Sequence, residues 1–363
     1  MPSPSVLIVG AGVIGCAVAH QLARRGAAVR VFEARAVAAG ATQASAGVLA
    51  PYIEAASRGP LFDVSVRSLE LYPAFLDEVR SDSGVDVEFA ACGTLEIAID
   101  DGAAATLRSE AVDHGEWLDN AAARALEPVL PSTIAGALLV REHGYVAPSP
   151  LTEALTWAAL RHGAEFETGR RVMAVESRNN RPVVRTNDGS EWTADRVVLA
   201  AGSWSGGIQI DEPAAHAVRP VRGQLLHLRW SGDALRHVFW GPDCYVVPWR
   251  DGTVLVGATV EDVGFDERTT AAGVRDLLGA VCELLPAASG ATFTGARVGL
   301  RPASTDGLPI IGESARVSGT VLALGHYRNG ILLAPITGRA VAEMILDGRR
   351  DPFLDPFSPS RFS

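Results

Sequence analysis

The chain has 363 residues, which is enough for a large hydrophobic core and predicts two domains or one domain with an insertion. Its formal net charge of −10 argues against nucleic acid or an anionic membrane surface as a partner. Four scattered cysteines (Cys16, Cys92, Cys244 and Cys282) and eight histidines without metal-binding spacing predict free thiols, a reducing compartment and no metal site.

The first predicted elements are a strand, a glycine turn, a helix and a second strand over residues 6–33. Gly10 permits a tight turn, Gly12 lets a pyrophosphate approach the backbone, and Gly15 lets the helix pack closely on the strand. The free N–H groups at the start of the helix favour an anion, and Glu33 is placed to accept hydrogen bonds from ribose hydroxyls. Because Glu33 would repel a 2′-phosphate, the pattern predicts an adenine dinucleotide, either NAD or FAD.

The apolar stretch 6–19 is too short to cross a bilayer, which needs about 20 apolar residues. It is punctuated by glycines and has no charged segment before it, unlike a signal peptide. We therefore expect no membrane span and a cytoplasmic location.

A segment of small residues, 36–51, follows the second strand and suits a loop that passes close to a flat ligand. Thr42, Gln43 and Ser45 offer hydroxyl and amide groups there, although a plain linker has the same composition. After this loop, the apolar spacing predicts a helix over residues 62–80.

The middle of the chain is predicted to be rich in short strands. Before residue 195 the pattern predicts helices at 103–120, 122–127 and 151–162, and strands at 87–89, 94–99, 137–141, 164–167, 170–177, 182–187 and 190–194. A buried strand over 196–202 then ends on Ala201 and Gly202 before Trp204, which suits a nearby cofactor and also an ordinary parallel strand. Further strands are predicted at 224–230, 238–240, 244–249, 253–259 and 291–300, with a helix at 269–285.

The C-terminal part returns to a nucleotide-binding pattern, with GLRP at 299–302, TDGLPIIG at 305–312, and a strand, turn and helix over 320–338. This alternation predicts a mixed α/β (α+β) fold. A Rossmann-like dinucleotide-binding domain (1–84, 145–220 and 299–363) is interleaved with an antiparallel β-sheet substrate domain (85–144 and 221–298).

Two arginines and a tyrosine are the candidate substrate-binding residues. Arg301 and Arg328 stand where predicted strands end, which is the edge where ligands bind in open α/β sheets. A guanidinium can grip a carboxylate at two points, and the Tyr245 phenol can donate to the same group. His326 either approaches the cofactor or only caps its turn. No nucleophile elbow, triad or acid pair is evident, which favours chemistry performed by the cofactor.

Together these motifs resemble the glycine oxidase (ThiO) branch of the D-amino-acid oxidase family. The resemblance covers nearly the whole chain through VLIVGAGVIG, residues 42–47, VVLAAGSWS, CYVVP, VGAT, GLRP-x-S-x-DGLPIIG and GHYRNGILLAP. It implies an FAD-binding domain, oxidation of a small amino acid or amine to the imine and then the oxo acid and ammonia, and reduction of oxygen to hydrogen peroxide. It also implies a homo-oligomer and a link to thiamine synthesis. The resemblance also implies that a cysteine that tethers flavin, as one branch of the family has it, lies near the C-terminal domain. No cysteine follows Cys282 here, so we expect FAD to be held without a covalent bond.

The resemblance also assigns site residues. It implies that Arg301 pairs with the substrate carboxylate and that Tyr245 and Arg328 help to hold or enclose the substrate. The predicted cofactor-binding residues are Gly10, Gly12, Val13, Ile14, Gly15, Glu33, Ala34, Arg35, Thr42, Gln43, Ser45, Ala46, Gly47, Val172, Ala201, Gly202, Trp204, Arg301, His326, Arg328, Asn329, Gly330 and Ile331.

The substrate and the electron acceptor stay open. Glycine, sarcosine, proline-like imino acids and small D-amino acids all fit a carboxylate clamp beside a flavin. The alternatives are a sarcosine-oxidase-like enzyme, a flavin dehydrogenase that reduces a quinone or partner protein, a non-catalytic flavin subunit and an NAD-dependent dehydrogenase. Peroxide formed without an added acceptor indicates an oxidase, bound FAD without turnover indicates a subunit, and a yellow colour excludes NAD.

Overall fold

A computed structural model describes residues 3–54, 58–111 and 114–362 of the chain. Its strands, in chain order, are β1 (Ser5–Val9), β2 (Ala28–Glu33), β3 (Val48–Leu49), β4 (Phe89–Ala90), β5 (Thr94–Ala98), β6 (Glu116–Asp119), β7 (Gly136–Val140), β8 (Gly144–Val146), β9 (Glu165–Thr168), β10 (Val172–Arg178), β11 (Arg181–Thr186), β12 (Glu191–Thr193), β13 (Arg196–Leu199), β14 (Val218–Arg229), β15 (Val238–Trp240), β16 (Tyr245–Pro248), β17 (Thr253–Gly257), β18 (Thr292–Ser304), β19 (Ile310–Glu313) and β20 (Thr320–Leu324).

The helices are α1 (Val13–Arg24), α2 (Pro51–Glu54), α3 (Pro60–Ser83), α4 (Asp101–Glu110), α5 (Asn120–Leu126), α6 (Pro148–Arg161), α7 (Pro213–His216), α8 (Ala271–Leu284) and α9 (Ala334–Asp347). Short 3₁₀ turns cover Ala41–Ala44, Gly202–Gly207, Pro286–Gly290, Pro352–Phe357 and Pro359–Phe362. Among the described residues, none of the helices combines the length and the apolar character that a membrane crossing requires.

One sheet carries the nucleotide-binding pattern. Its six strands have the order β19-β20-β13-β1-β2-β9, and all neighbours are parallel except the pair β19 and β20. Its central strands are apolar on both faces because α1, α3, α6 and α9 cover one face while the small sheet of β10, β11 and β12 covers the other. This arrangement confirms the mixed α/β fold class.

The second large sheet faces the carboxyl edge of the first. Its eight strands have the order β18-β14-β17-β16-β15-β5-β7-β6, and only β15 and β5 pair in parallel. Helix α8 packs on one face, where Val246 and Val256 are fully buried. Side chains alternate along a strand, so Tyr245 points to the opposite face, toward the first sheet. The domain boundaries drawn from the sequence stay a prediction.

The predicted helix over 103–120 is wrong. Helix α4 ends at Glu110, and β6 begins at Glu116 and pairs antiparallel with β7. Gly115 between them has a φ of 116°, which a right-handed helix does not accept. Pairing with β7 therefore outweighs the local helix propensity, and residues 112 and 113 lie outside the described residues.

Arg301 does not follow a strand, as the sequence predicted, but lies inside one. Strand β18 continues to Ser304, and β14 begins at Val218 and pairs with it along its whole length. A proline lacks an N–H group and usually marks a strand end or edge. Here Pro220 and Pro302 face each other across β14 and β18, and the ladder continues past them.

Candidate functional site

A cavity of about 830 Å³ lies where the carboxyl ends of the first sheet face the second sheet. This volume is within the range of roughly 300–1,000 Å³ that is usual for small-molecule and cofactor sites. Tyr245 lines it, and so do most of the predicted cofactor-binding residues: Gly10, Gly12, Val13, Ile14, Glu33, Ala34, Arg35, Thr42, Ser45, Ala46, Gly47, Val172, Ala201, Gly202, Trp204, Arg301, His326, Arg328, Gly330 and Ile331.

The glycine turn after β1 is shaped by close backbone contacts. Gly10 has a φ of 105°, and a Cβ there would lie 2.5 Å from the carbonyl oxygen of Ala200. A Cβ on Gly15 would lie 2.0 Å from the Gly10 carbonyl oxygen, so helix α1 can approach the turn only with glycine at this position. Among the described residues, a Cβ on Gly12 would meet only the Thr42 hydroxyl within 4 Å, at 3.5 Å, which leaves room for a ligand at the start of α1.

Glu33 is fixed at the end of β2 by two backbone amides. Its carboxylate accepts hydrogen bonds from the N–H of Ala11 at 2.8 Å and from the N–H of Arg35 at 2.7 Å. A carboxylate has about four lone-pair sites, so these two bonds leave capacity for hydroxyl donors. Beside it, the Thr42 hydroxyl accepts from the N–H of Val13 at 3.2 Å, in the first turn of α1.

The end of the cavity near β2 is lined by an aromatic and ionic contact. The Arg35 guanidinium lies 4.4 Å from the centre of the Trp204 ring, and it forms an ion pair with Glu267 at 3.0 Å. Gly40 lies against the same ring, since a Cβ there would be 3.3 Å from Trp204 Cζ3. Residues 35–40, Trp204 and Glu267, which are far apart in sequence, therefore meet around the Trp204 indole ring.

Three predicted cofactor-binding residues, Gly15, Gln43 and Asn329, do not line the cavity. Gly15 packs inside the glycine turn, and the Gln43 amide donates to the Val298 carbonyl at 3.4 Å. The backbone N–H of Asn329 donates to the His326 carbonyl at 2.8 Å within the turn before α9.

His326 lines the cavity but has a partner within the protein. Its Nε2 lies 3.1 Å from the Thr337 hydroxyl on α9. Burial lowers the pKa of His326 to about 3, so its ring is neutral at physiological pH.

Arg301 and Tyr245 lie flat against two glycines. A Cβ on Gly223 would lie 2.4 Å from Arg301 Cζ, and a Cβ on Gly257 would lie 2.3 Å from the Tyr245 hydroxyl oxygen. The Arg301 Nη1 donates to the Thr259 carbonyl at 2.9 Å. Burial raises the pKa of Tyr245, while the positive charge of Arg301 opposes this rise.

A cluster of polar side chains fixes Thr259, whose backbone carbonyl accepts the hydrogen bond from Arg301. The Thr259 hydroxyl donates to Glu261 at 2.6 Å and accepts from the backbone N–H of Gln224 at 2.9 Å. Arg222, which is almost fully buried, pairs with Glu261 at 2.5 Å. Burial alone would raise the pKa of Glu261, but the hydrogen bonds from Arg222, Gln224 and Thr259 outweigh it and hold this pKa at about 2.

Arg328 has an acidic partner that the sequence did not predict. Glu54, at the end of α2, accepts from Arg328 Nη2 at 3.0 Å, and its second oxygen lies 2.9 Å from Arg328 Nε. Burial raises the pKa of Glu54, and the charge of Arg328 opposes that rise. Arg328 also lies 6.0 Å from the Trp240 ring, which stacks on Tyr245 at 5.2 Å.

Sequence reasoning missed five residues near Arg301 and Tyr245, namely Glu54, Glu96, Gly223, Trp240 and Gly257. Local sequence carries no signal for them, because Glu54, Glu96, Trp240 and Gly257 reach the cavity only through strand register or through the placement of α2. Gly223 does not line the cavity but lies beneath Arg301 through the pairing of β14 and β18.

The family and curated relatives agree with this geometry. The model of the FAD dependent oxidoreductase family matches residues 5–344. Glycine oxidase of Geobacillus kaustophilus is 34% identical over 364 residues, which cover 98% of this chain and 96% of that protein. The bifunctional protein ThiO/ThiG of Synechocystis sp. is 33% identical over 363 residues, which cover 98% of this chain but only 54% of that longer protein.

Solved structures show the same fold. The crystal structure of glycine oxidase from Geobacillus kaustophilus has a TM-score of 0.92 at 33% identity and covers 99% of both chains. Iminodiacetate oxidase from Chelativorans sp. has a TM-score of 0.89 at 27% identity and covers 98% of both chains. These matches confirm the resemblance drawn from the motifs, and the chain belongs to the family of FAD-dependent oxidoreductases.

Proposed function

We propose that this protein is an FAD-dependent oxidase that converts glycine or another small amino acid or amine to the imine, which hydrolyses to the oxo acid and ammonia. In this proposal oxygen accepts the two electrons and becomes hydrogen peroxide. The observation that carries the proposal is the position of Arg301 and Tyr245 on the wall of the cavity that the glycine turn also lines. Relatives named glycine oxidase that match nearly the whole chain support it.

The residues present fit FAD. The glycine turn and the first turn of α1 would receive the pyrophosphate, and Glu33, fixed by two amides, would receive ribose hydroxyls. FAD supplies the two-electron oxidation of the substrate when it is bound.

A bond between FAD and a cysteine has little support in the cavity. The four cysteines are free thiols, and of these four Cys244 alone lines the cavity. Burial raises the pKa of Cys244 to about 12, so its thiol is a poor nucleophile at neutral pH.

Arg301 is positioned to bind a substrate carboxylate. One of its N–H groups is held by the Thr259 carbonyl, and the guanidinium has five N–H donors in a rigid plane. Its charge is not matched by a carboxylate within ion-pair distance among the described residues, whereas Arg328 is matched by Glu54. A substrate carboxylate would supply that missing charge beside Tyr245.

Binding of the substrate carboxylate by Arg301 and Tyr245 would orient the substrate. With its carboxylate held by Arg301 and Tyr245, a small amino acid has few ways to lie between the two sheets, so its Cα–H bond is presented in one direction. Such positioning lowers the barrier by removing the entropy cost of finding the reactive geometry. Thr259 and Gly223 keep the guanidinium in place before the substrate enters.

The test is peroxide production by the purified, air-saturated holoenzyme. Glycine, sarcosine, D-alanine, D-proline, iminodiacetate and a plain amine form the substrate panel. Peroxide from at least one amino acid without an added acceptor supports the proposal. Turnover only with a quinone or dye would make the protein a dehydrogenase, and bound FAD without any turnover would make it a subunit. The homo-oligomer, the cytoplasmic location and the link to thiamine synthesis stay predictions.

A further inference from the structure

We propose that Glu96 determines substrate selectivity: its carboxylate accepts a cationic or hydrogen-bond donor group that the substrate carries beyond Cα, and it repels a second carboxylate. This inference rests on the proposed function, because it assumes that Arg301 binds the first carboxylate. None of the sequence motifs pointed to Glu96.

Strand register places Glu96 in one row with the substrate-end aromatic residues. Trp240 on β15 pairs with Glu96 on β5 and with Tyr245 on β16, so the three side chains share one face of the sheet. Glu96 and Tyr245 are two strands apart, which corresponds to about 10 Å between backbones. All three residues line the cavity, so this spacing lets a small substrate extend from Tyr245 past Trp240 toward Glu96.

Two carboxylates that line the cavity lack a protein partner among the described residues, and of these two Glu96 is half-buried whereas Asp243 is exposed. Glu54 is paired with Arg328, whereas Glu96 makes no hydrogen bond or ion pair with any described residue. Its side chain is half-buried, and burial together with the nearby charge of Glu110 raises its pKa to about 7. A partly desolvated carboxylate without a partner gains from a ligand that brings a donor.

Arg301 and Glu96 give opposite charges to two parts of the cavity. Arg301 provides a cation on the Tyr245 side, Glu96 provides an anion on the far side, and the Trp240 ring separates them. A ligand with a carboxylate at one end and an ammonium group at the other matches both ends. A ligand with two carboxylates matches only one end and brings its second charge close to Glu96.

The experiment measures equilibrium binding to the holoenzyme through the change in flavin absorbance, which needs no turnover. Butyrate, succinate and 4-aminobutyrate have four carbons each and differ only in the group at the far end. At about pH 8.5, where Glu96 is ionised, wild type should bind 4-aminobutyrate more tightly than succinate. In Glu96→Gln, 4-aminobutyrate should bind about tenfold more weakly and succinate several-fold more tightly, with butyrate unchanged.

Glu153→Gln is the matched control, since it removes the same charge from an exposed position on α6 that does not line the cavity. The inference is overturned if wild type shows no preference for 4-aminobutyrate over succinate, if Glu96→Gln changes all three affinities equally or none, or if Glu153→Gln reproduces its pattern. A preference that depends on Glu96 in a protein that oxidises no amino acid would overturn the proposed oxidase activity but leave the selectivity of the cavity standing.

Discussion

The protein itself holds Arg301 in the orientation that we propose for carboxylate binding. Its guanidinium lies flat on Gly223, donates to the Thr259 carbonyl and approaches the Tyr245 phenol. A side chain fixed in this way loses little rotational freedom when a carboxylate binds, so more of the interaction energy appears as affinity. Glu54 pairs with Arg328 and satisfies its charge, which leaves Arg301 as the cation that we propose binds the substrate.

Replacing Arg301 with alanine should leave FAD binding nearly intact and greatly reduce kcat/KM for amino acids. Removing one partner of a desolvated charge pair costs about 2–5 kcal/mol, which is a factor of roughly 30 to several thousand. Arg301→Lys should recover only part of the loss, because an ammonium group cannot make the planar two-point contact. Steady-state kinetics on each variant measure this.

Amines without a carboxylate are the internal control for that prediction, since they offer Arg301 nothing to bind and should lose much less activity. Arg297→Ala is the matched variant: it removes a guanidinium from the same strand, where Arg297 donates to the Gln43 carbonyl. An equal loss for acids and amines in Arg301→Ala would mean that Arg301 is structural.

At the scale of elements, strand pairing places a glycine beneath each of the two proposed carboxylate-binding residues. Gly223 on β14 lies under Arg301 of β18, and Gly257 on β17 lies under Tyr245 of β16. Adjacent strands lie about 4.8 Å apart, so side chains can lean across a neighbouring strand only where that strand has no Cβ. The register of these strands therefore shapes the part of the cavity where we propose that the substrate binds.

Gly223→Ala should displace Arg301 while the sheet and FAD binding persist. The new Cβ would lie 2.4 Å from Arg301 Cζ, and such overpacking typically costs about 1–3 kcal/mol. We expect kcat/KM for amino acids to fall by a factor on the order of 10 to 100. Gly279→Ala on α8 places its new Cβ more than 4 Å from every atom in the described part of the chain and should keep full activity. Unchanged activity in Gly223→Ala would show that the position of Arg301 is not critical.

These elements also show how much of the fold and of the site can be predicted from the sequence. The β1–α1–β2 unit was predictable because its glycines, helix and terminal acid follow one another within a short segment. Arg301 was found as a residue but was placed after a strand, because the predicted strand stopped at residue 300 whereas β18 continues to Ser304 in its pairing with β14. Glu54 and Glu96 were missed, because their place in the cavity depends on pairings with distant segments.

At the scale of the molecule, a polar cluster away from the cavity ties three helices together. Asp82 near the end of α3 accepts from His20 of α1 at 2.8 Å, and it lies 3.2 Å from His162 Nε2, next to α6. The ligand atoms of these three residues lie within 4.8 Å of one another, although their sequence spacing does not suggest a metal site. Arg24 Nε also lies 3.1 Å from the same Asp82 oxygen and supplies positive charge there.

This cluster predicts that the protein loses stability in acid. Burial lowers the pKa of His20 below its ordinary 6.5, although Asp82 opposes this shift, so the unfolded chain binds a proton more readily than the folded protein does. The stability contributed by neutral His20 is present above about pH 6.5 and decreases as the pH falls below it.

Asp82 adds to this effect at lower pH. Burial works to raise its pKa, but hydrogen bonds from His20 and His162 outweigh it and lower the pKa below 3.8. Its contribution is present above that value and is lost as the pH falls through the lowered pKa. Between about pH 7.5 and 5 the His20 contribution changes and the Asp82 contribution does not. The other buried histidines are common to both proteins, so the Tm of His20→Gln should fall less over this range than the Tm of wild type. Equal losses of Tm in the two proteins would contradict the assignment.

FAD should be held by contacts from both sheets and not by a covalent bond. The cavity draws its walls from the ends of β1, β2, β13 and β20 and from β16 and β18 of the second sheet, so many weak contacts can add up over the length of a dinucleotide. Cys244 is the one of the four thiols on that wall, and its pKa of about 12 keeps it protonated. Acid precipitation of the purified protein should therefore release all of the yellow flavin into the supernatant. Flavin that stays with the pellet in wild type but is released from Cys244→Ser would show that this thiol forms a tether.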